Sequence, residues 1–151
     1  MTADVRQAVR DAPFDVERFL AQPLVARVAT AGPVVRPVWY LWEDGAFWVF
    51  IGPWSGMAAR LRKNPVFELV VDVCDIRTGL VRQVVARGEG SVRPLDAPRA
   101  RRKLVRYLGP DERTWDPRFS LAGDLAAREL QWARLLPDRI IARDMSFRPS
   151  V

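Results

Sequence analysis

Between residues 24 and 51 three apolar, β-type runs follow one another with only turn residues between them. Residues 24–31 (LVARVATA) pass through Gly32-Pro33 into residues 34–42 (VVRPVWYLW), and Glu43-Asp44-Gly45 leads into residues 46–51 (AFWVFI). Asp-Gly readily adopts the positive φ that a tight hairpin needs. Connections of two or three residues cannot hold a crossover helix, so these strands are antiparallel neighbours. That argues against a doubly wound parallel sheet of the Rossmann type.

The remaining segments extend the pattern. Residues 15–21 read as a short helix capped by Asp15, and Pro23 stops it. Gly52-Pro53-Trp54-Ser55-Gly56 breaks the sheet, and residues 57–63 (MAARLRK) have helical spacing that ends at Asn64-Pro65. Residues 66–74 and 80–92 are strands, the second kinked near Gly88 and Gly90. Residues 96–108 form a helix with an Asp96 cap, an early Pro98 and Gly109-Pro110 at its exit. A second helix is predicted over 125–136, capped by Asp124, and a last strand over 138–147. Residues 1–13 are expected to be loosely ordered, and residues 94–136 to form a helical excursion. The sum is a mainly β chain with peripheral helices, a single domain over 1–151. A closed antiparallel barrel is the economical arrangement, because closure removes sheet edges.

Composition narrows the function. The chain has no His, which excludes a Ser-His-Asp triad, a Cys-His pair, an imidazole zinc site and His-ligated haem. Its one cysteine, Cys74, permits no internal disulfide, suggests a cytoplasmic location and reads as a small buried apolar residue. The first twenty residues carry seven charges and no apolar leader, and no apolar run is long enough to span a membrane. Net charge is +6 and uneven. Residues 93–151 hold 13 basic and 8 acidic side chains, against 11 and 10 in residues 1–92. The Arg-rich helix around Arg99, Arg101, Arg102, Lys103 and Arg106 reads first as a solvated face and second as a patch for a ligand tail or nucleic acid. A nucleic-acid partner ranks last, since no reader motif appears.

The run RPVWYLWEDGAFWVFIGPWSGMAARLRKNPVFELVV, followed by RQVVARGEG, resembles the pyridoxamine 5′-phosphate oxidase-like split β-barrel family, which includes flavin and deazaflavin (coenzyme F-420) oxidoreductases. The resemblance covers residues 19–90, with weaker support from LLPDRIIARDMSF near the end. It implies an antiparallel split β-barrel of the FMN-binding type and a homodimer with the cofactor in a groove between subunits. It also implies hydride transfer between FMN or deazaflavin and a small-molecule substrate, or else a non-catalytic binder of flavin or another planar ligand on the same fold. The groove would be lined by Arg36, Val38, Trp39, Gly52, Trp54, Ser55, Met57 and Gln83.

Position by position, Arg36, Ser55 and Gln83 match the family's phosphate and ribityl contacts, while Leu41, Ile51, Gly56 and Met57 depart. Three departures remove a cation. Charge-assisted hydrogen bonds contribute roughly 1.5–3 kcal/mol each, so three losses weaken binding by about three decades. The resemblance therefore implies a loosely bound cofactor, unless Arg60, Arg62, Arg82 or Arg87 compensates. Each residue also has a plainer role. Arg36 serves a ligand or an acidic neighbour. Gln83 bonds a ring carbonyl or is a surface residue. The tryptophans pack in the core or a dimer interface, with loop residue Trp54 the best stacking platform. The Gly52–Gly56 loop seats an anion at a helix start or merely turns the chain. The C-terminus, MSFRPSV, lacks the Arg and His segment of the enzymes that make pyridoxal phosphate.

Overall fold

The computed structural model describes residues 1–150. Its strands are β1 (Val25–Thr30), β2 (Val34–Trp39), β3 (Leu41–Glu43), β4 (Ala46–Ile51), β5 (Val66–Asp75), β6 (Leu80–Pro94) and β7 (Gln131–Asp144). They form one antiparallel sheet in the order β2-β1-β5-β6-β7-β4-β3. The two edge strands, β2 and β3, are consecutive in the chain and separated by Tyr40 alone. In a flat seven-stranded sheet those edges would lie about 29 Å apart, at ~4.8 Å per strand. The two steps from Trp39 to Leu41 span at most about 7 Å. The sheet therefore curls until its edges meet at Tyr40, which makes it a split barrel.

Tyr40 has no ladder partner, so its buried amide needs another acceptor. The Tyr107 hydroxyl supplies it. The Tyr40 N–H donates to that oxygen at 3.0 Å, and the hydroxyl donates to the Leu24 carbonyl at 2.7 Å. Tyr107 belongs to α4 (Ala97–Leu108), which lies over the outer face of β3 and β4.

Alternation along β4 shows both layers. Phe47, Val49 and Ile51 point into the barrel core, while Ala46, Trp48 and Phe50 face outward. The outward set packs with Trp132, Leu41 and Ala100 of α4. Acidic groups of the β3–β4 hairpin clasp α4. Arg99 donates to Glu43 at 2.7 Å and Asp44 at 2.8 Å, and Arg102 donates to Glu43 at 2.8 Å. The hydrogen bond from Arg102, with that from Arg99 behind it, holds the Glu43 carboxyl below the usual carboxylate range. The Arg99 guanidinium also lies 3.8 Å from the Trp48 ring centroid. Much of the Arg-rich helix is thus bound to the chain's own carboxylates.

Four expectations need correction. Residues 1–13 are not loose: α1 (Ala3–Arg10) is capped by the Thr2 side chain, which accepts from the Val5 N–H, and Val5 is 1% exposed in the core. Val5 and Val9 recur at i and i+4, so a helical face was readable there. With α2 (Val16–Leu20), α1 brings Val5, Val16, Phe19 and Leu20 into the core. The helix expected over 125–136 is also absent. Asp124 accepts from the Ala126 and Ala127 N–H groups, yet Glu129 turns to φ 55° and the chain enters β7 at Gln131. Pairing with β4 and β6 overrides the helical propensity of Ala, Leu and Arg there. The helical excursion therefore shrinks to α4 and two short 3-10 turns, Glu112–Thr114 and Pro117–Phe119. The run 34–42 is not one strand but two, on opposite edges. Cys74 is exposed on β5 rather than buried.

The kink at Gly88 lies opposite a bulge in β7, where Asp138 has no ladder partner. The register with β7 shifts between Arg87 and Gly88, opposite Pro137. A Cβ on Gly88 would lie 2.1 Å from the Leu136 carbonyl oxygen, so only glycine allows this close approach.

The seam yields a direct test. Tyr107→Phe leaves the Tyr40 amide without a partner and should cost about 1–3 kcal/mol. Urea denaturation of the two proteins measures it, and equal midpoints would mean that the seam does not depend on this hydroxyl.

Candidate functional site

A cationic corner lies along β1, where Arg36 of β2 stands opposite Val28 and Arg60 of α3 (Met57–Lys63) reaches Thr30. Residues directly opposite one another in a ladder share a face. The register pairs Arg36 with Val28 and Val34 with Thr30, and Val28 is buried in the core. Arg36 therefore lies on the concave side of an edge strand, exposed at the open seam. Its Nη1 donates only to the Val35 carbonyl at 2.9 Å, and no carboxylate pairs with it among the described residues.

Arg60, on α3, reaches the same concave surface. Its Nε donates to the buried Thr30 hydroxyl at 2.8 Å. A Cβ on Gly56 would stand 2.7 Å from Arg60 Nη1, so the bare glycine lets the guanidinium lie over the start of the helix. Ser55 completes the corner. Its hydroxyl accepts from the Met57 N–H at 3.2 Å, and its own N–H donates to the Gly52 carbonyl at 2.9 Å. A hydroxyl that accepts still has its proton to donate. Two guanidiniums free of carboxylates and one available hydroxyl suit an anionic oxygen group.

The other expected residues fall elsewhere. Leu41, Ile51 and Met57 are fully buried, so none can offer a cation, and the Met57 side chain fills the core instead of lining a groove. Val38 packs against the core. Trp39 stacks on Tyr107 with centroids 4.5 Å apart and planes 5° apart, and on Phe119 at 5.6 Å, so its ring joins β2 to the α4 layer. Gly52 lies under the Trp54 ring, which a Cβ would meet at 2.3 Å. Trp54 itself is 69% exposed. Gln83 pairs with Asp72 and Arg143 on the convex side of the sheet, since its neighbour Val84 faces the core. Within one chain it does not share a face with Arg36. Among the compensating arginines, Arg60 alone joins the corner. Arg82 binds Asp144 at 3.0 Å, and Arg62 and Arg87 are exposed.

Sequence reasoning missed a second feature. An apolar cavity of about 310 Å³ opens between β4, α4 and the segment that follows α4. Phe50, Trp54, Leu95, Leu104, Phe119, Leu121 and Leu130 line it, with Arg118, Ser120 and Arg128. Isolated leucines in a turn-rich stretch carry no periodicity, so nothing in the sequence pointed to a cavity.

Beside it lies Lys103, 3% exposed, with Nζ 3.6 Å from the Phe50 ring centroid and no carboxylate partner among the described residues. Burial pulls its pKa down to about 7. The ring face of Phe50 offsets part of the lost hydration.

These features define a split-barrel protein with a cationic corner and an apolar cavity. The chain belongs to the pyridoxamine 5′-phosphate oxidase family, whose model matches residues 14–133. Solved structures agree on the fold. A conserved hypothetical protein from Mycobacterium tuberculosis superposes with TM-score 0.71 at 20% identity, covering 100% of this chain and 96% of that one. The flavocytochrome Anf3 from Azotobacter vinelandii gives TM-score 0.70 at 16% identity, over 90% of this chain and 68% of the other. An FAD-binding protein from Mesorhizobium loti gives 0.61 at 22% identity, over 89% and 96%. No curated protein matches the chain.

Lys103 also makes stability depend on pH with a defined sign. Its folded pKa of about 7 lies below the ordinary 10.5. Between those values the unfolded chain binds a proton that the folded chain does not, so this group's contribution to stability rises with pH. Lys103→Met, which removes the buried amine, should stabilise the protein by about 1–3 kcal/mol at pH 6–7. The gain should shrink toward pH 10. Denaturant titrations at pH 6, 8 and 10 measure this, and a pH-independent difference would contradict it.

Proposed function

We propose that this chain binds a flavin-type cofactor, with the phosphate at the Arg36–Arg60–Ser55 corner, and moves hydride between it and an organic substrate. The observation that carries the reading is a pair of guanidiniums with no carboxylate partner among the described residues, Arg36 on the concave side of β2 and Arg60 bonded to Thr30 beside a bare Gly56. Membership of the family supports it, as does the likeness to the FAD-binding protein from Mesorhizobium loti. A ring system that accepts and returns hydride supplies the chemistry, and the protein contributes binding and orientation. Arg36 and Arg60 neutralise the phosphate charge, Ser55 donates its hydroxyl proton to a phosphate oxygen, and the exposed Trp54 ring offers a flat face for offset stacking. Both FMN and the deazaflavin coenzyme F-420 suit this corner, and its small number of cations favours a dissociable cofactor.

The reading includes a homodimer and a water-soluble cytoplasmic setting. Val70, Val85 and Ile141 are half-buried and form an apolar row on the convex sheet face, directly paired across β5, β6 and β7. Gln83 and Arg143 lie beside that row. A second copy docked there would bring Gln83 toward its partner's cofactor. No helix among the described residues is long and apolar enough to cross a membrane.

One finding favours a second reading, a non-catalytic binder of a planar ligand. The positions Leu41, Ile51 and Met57 are not only uncharged but buried.

The absorption spectrum of the purified protein, followed by titration with FMN and with the deazaflavin, separates the two. Cofactor binding is expected, with Arg36→Ala and Arg60→Ala each weakening it about tenfold or more, as loss of one charge-assisted contact implies. Sedimentation should report a dimer. A colourless protein that takes up neither cofactor favours the second reading, and unchanged affinity in both variants removes the corner from the proposal.

A further inference from the structure

The apolar cavity has a charge pattern of its own. Its walls are Phe50 of β4, Leu104 of α4, and Leu95, Phe119 and Leu130 from the connecting segments. Two guanidiniums line it, and no carboxylate among the described residues does. Arg118 is already neutralised, because its Nη2 donates to Asp116 at 2.9 Å. Arg128 is not. Its Nη1 donates to the Ser120 main-chain carbonyl at 2.7 Å, which orients the guanidinium without cancelling its charge. A guanidinium has five N–H donors, so most of them remain free. Behind the Phe50 ring, Lys103 also lacks an acidic partner among the described residues. On the cavity wall itself, among the described residues, the uncompensated charge is therefore positive.

A pocket of this volume lined by apolar side chains takes the hydrophobic body of a small molecule, and the few polar groups select its functional group. A guanidinium at an apolar mouth favours a planar carboxylate, which it holds with two parallel hydrogen bonds. A phosphate monoester would bring a second negative charge with no second free cation on the cavity wall.

We propose that this cavity binds an apolar monocarboxylic acid, its carboxylate on Arg128 and its body against Phe50, Leu104 and Leu130. Trp54 borders the cavity and belongs to the same five-residue loop as Ser55, so such a ligand would lie next to the cationic corner. As a substrate site the cavity rests on the flavin-dependent reading above. As a binding site it does not.

Calorimetric titration of the flavin-free protein with octanoate, and with the neutral octanol, tests the assignment. Saturable octanoate binding is expected, with octanol at least tenfold weaker. Arg128→Gln should weaken octanoate about tenfold or more, and Arg118→Gln less than threefold. Arg77→Gln, in the exposed turn between β5 and β6, should leave octanoate binding unchanged. Leu104→Trp, which fills the cavity, should abolish it, and circular dichroism checks that this variant is folded. Arg128 is exposed, so its variant tests the anchor even if Leu104→Trp does not fold. The proposal is overturned if octanoate does not bind, if octanol binds as well, or if Arg128→Gln has no effect. Octanoate binding without flavin binding would overturn only the flavin reading, and the reverse result would overturn only this one.

Discussion

One hydroxyl group stands at the point where the sheet closes. The chain leaves one edge of a seven-stranded sheet at Trp39 and enters the opposite edge at Leu41, with Tyr40 as the whole connection. That covalent fact forces the curl, and the curl leaves a main-chain amide without a strand to pair with. The Tyr107 hydroxyl takes that amide and ties it to the Leu24 carbonyl, so β1, the seam and α4 meet at a single oxygen. The Trp39 ring stacked on Tyr107 covers the junction. Because β2 ends at this seam, the exposure of Arg36 on its concave side follows from the same closure.

The α4 layer is the second dependent feature. Its apolar side meets the outward residues of β4 and β7, and its arginines close on Glu43, Asp44 and Asp96. Surface ion pairs usually contribute little singly. Here several share one carboxylate and one guanidinium, which ties the helix to the hairpin. The cavity lies between Leu104 and Phe50 and is lined by residues that follow α4, so it is built from segments distant in the chain rather than from a local motif.

Short turns and alternating apolar runs were legible in the sequence and placed most of β1, β4, β5 and β6, together with α3 and α4. Gly88 announced the bulge opposite it because a strand glycine signals close backbone approach. The residues from 131 to 136 were not legible, since Ala, Arg and Leu suit a helix and only the flanking strands make them extended. The break at Tyr40 was invisible for a related reason: an uninterrupted apolar run gives no sign that its halves lie on opposite edges. Of the candidate site, the cationic residues Arg36 and Arg60 and the Ser55 hydroxyl were within reach of sequence reasoning. The burial of Met57 was not, because the inner face of α3 is set by the barrel that it caps.

By itself, the sequence determined that the chain is a mainly β, antiparallel protein with no imidazole chemistry, because strand period, turn length and residue inventory are local properties. Which arginines remain free, and which are consumed by Glu43 or Asp144, was decided only by the tertiary structure. The same holds for the convex position of Gln83 and for the space beside Lys103. Charge pairing and cavity volume depend on distances between residues far apart in the chain, and no local pattern encodes those distances.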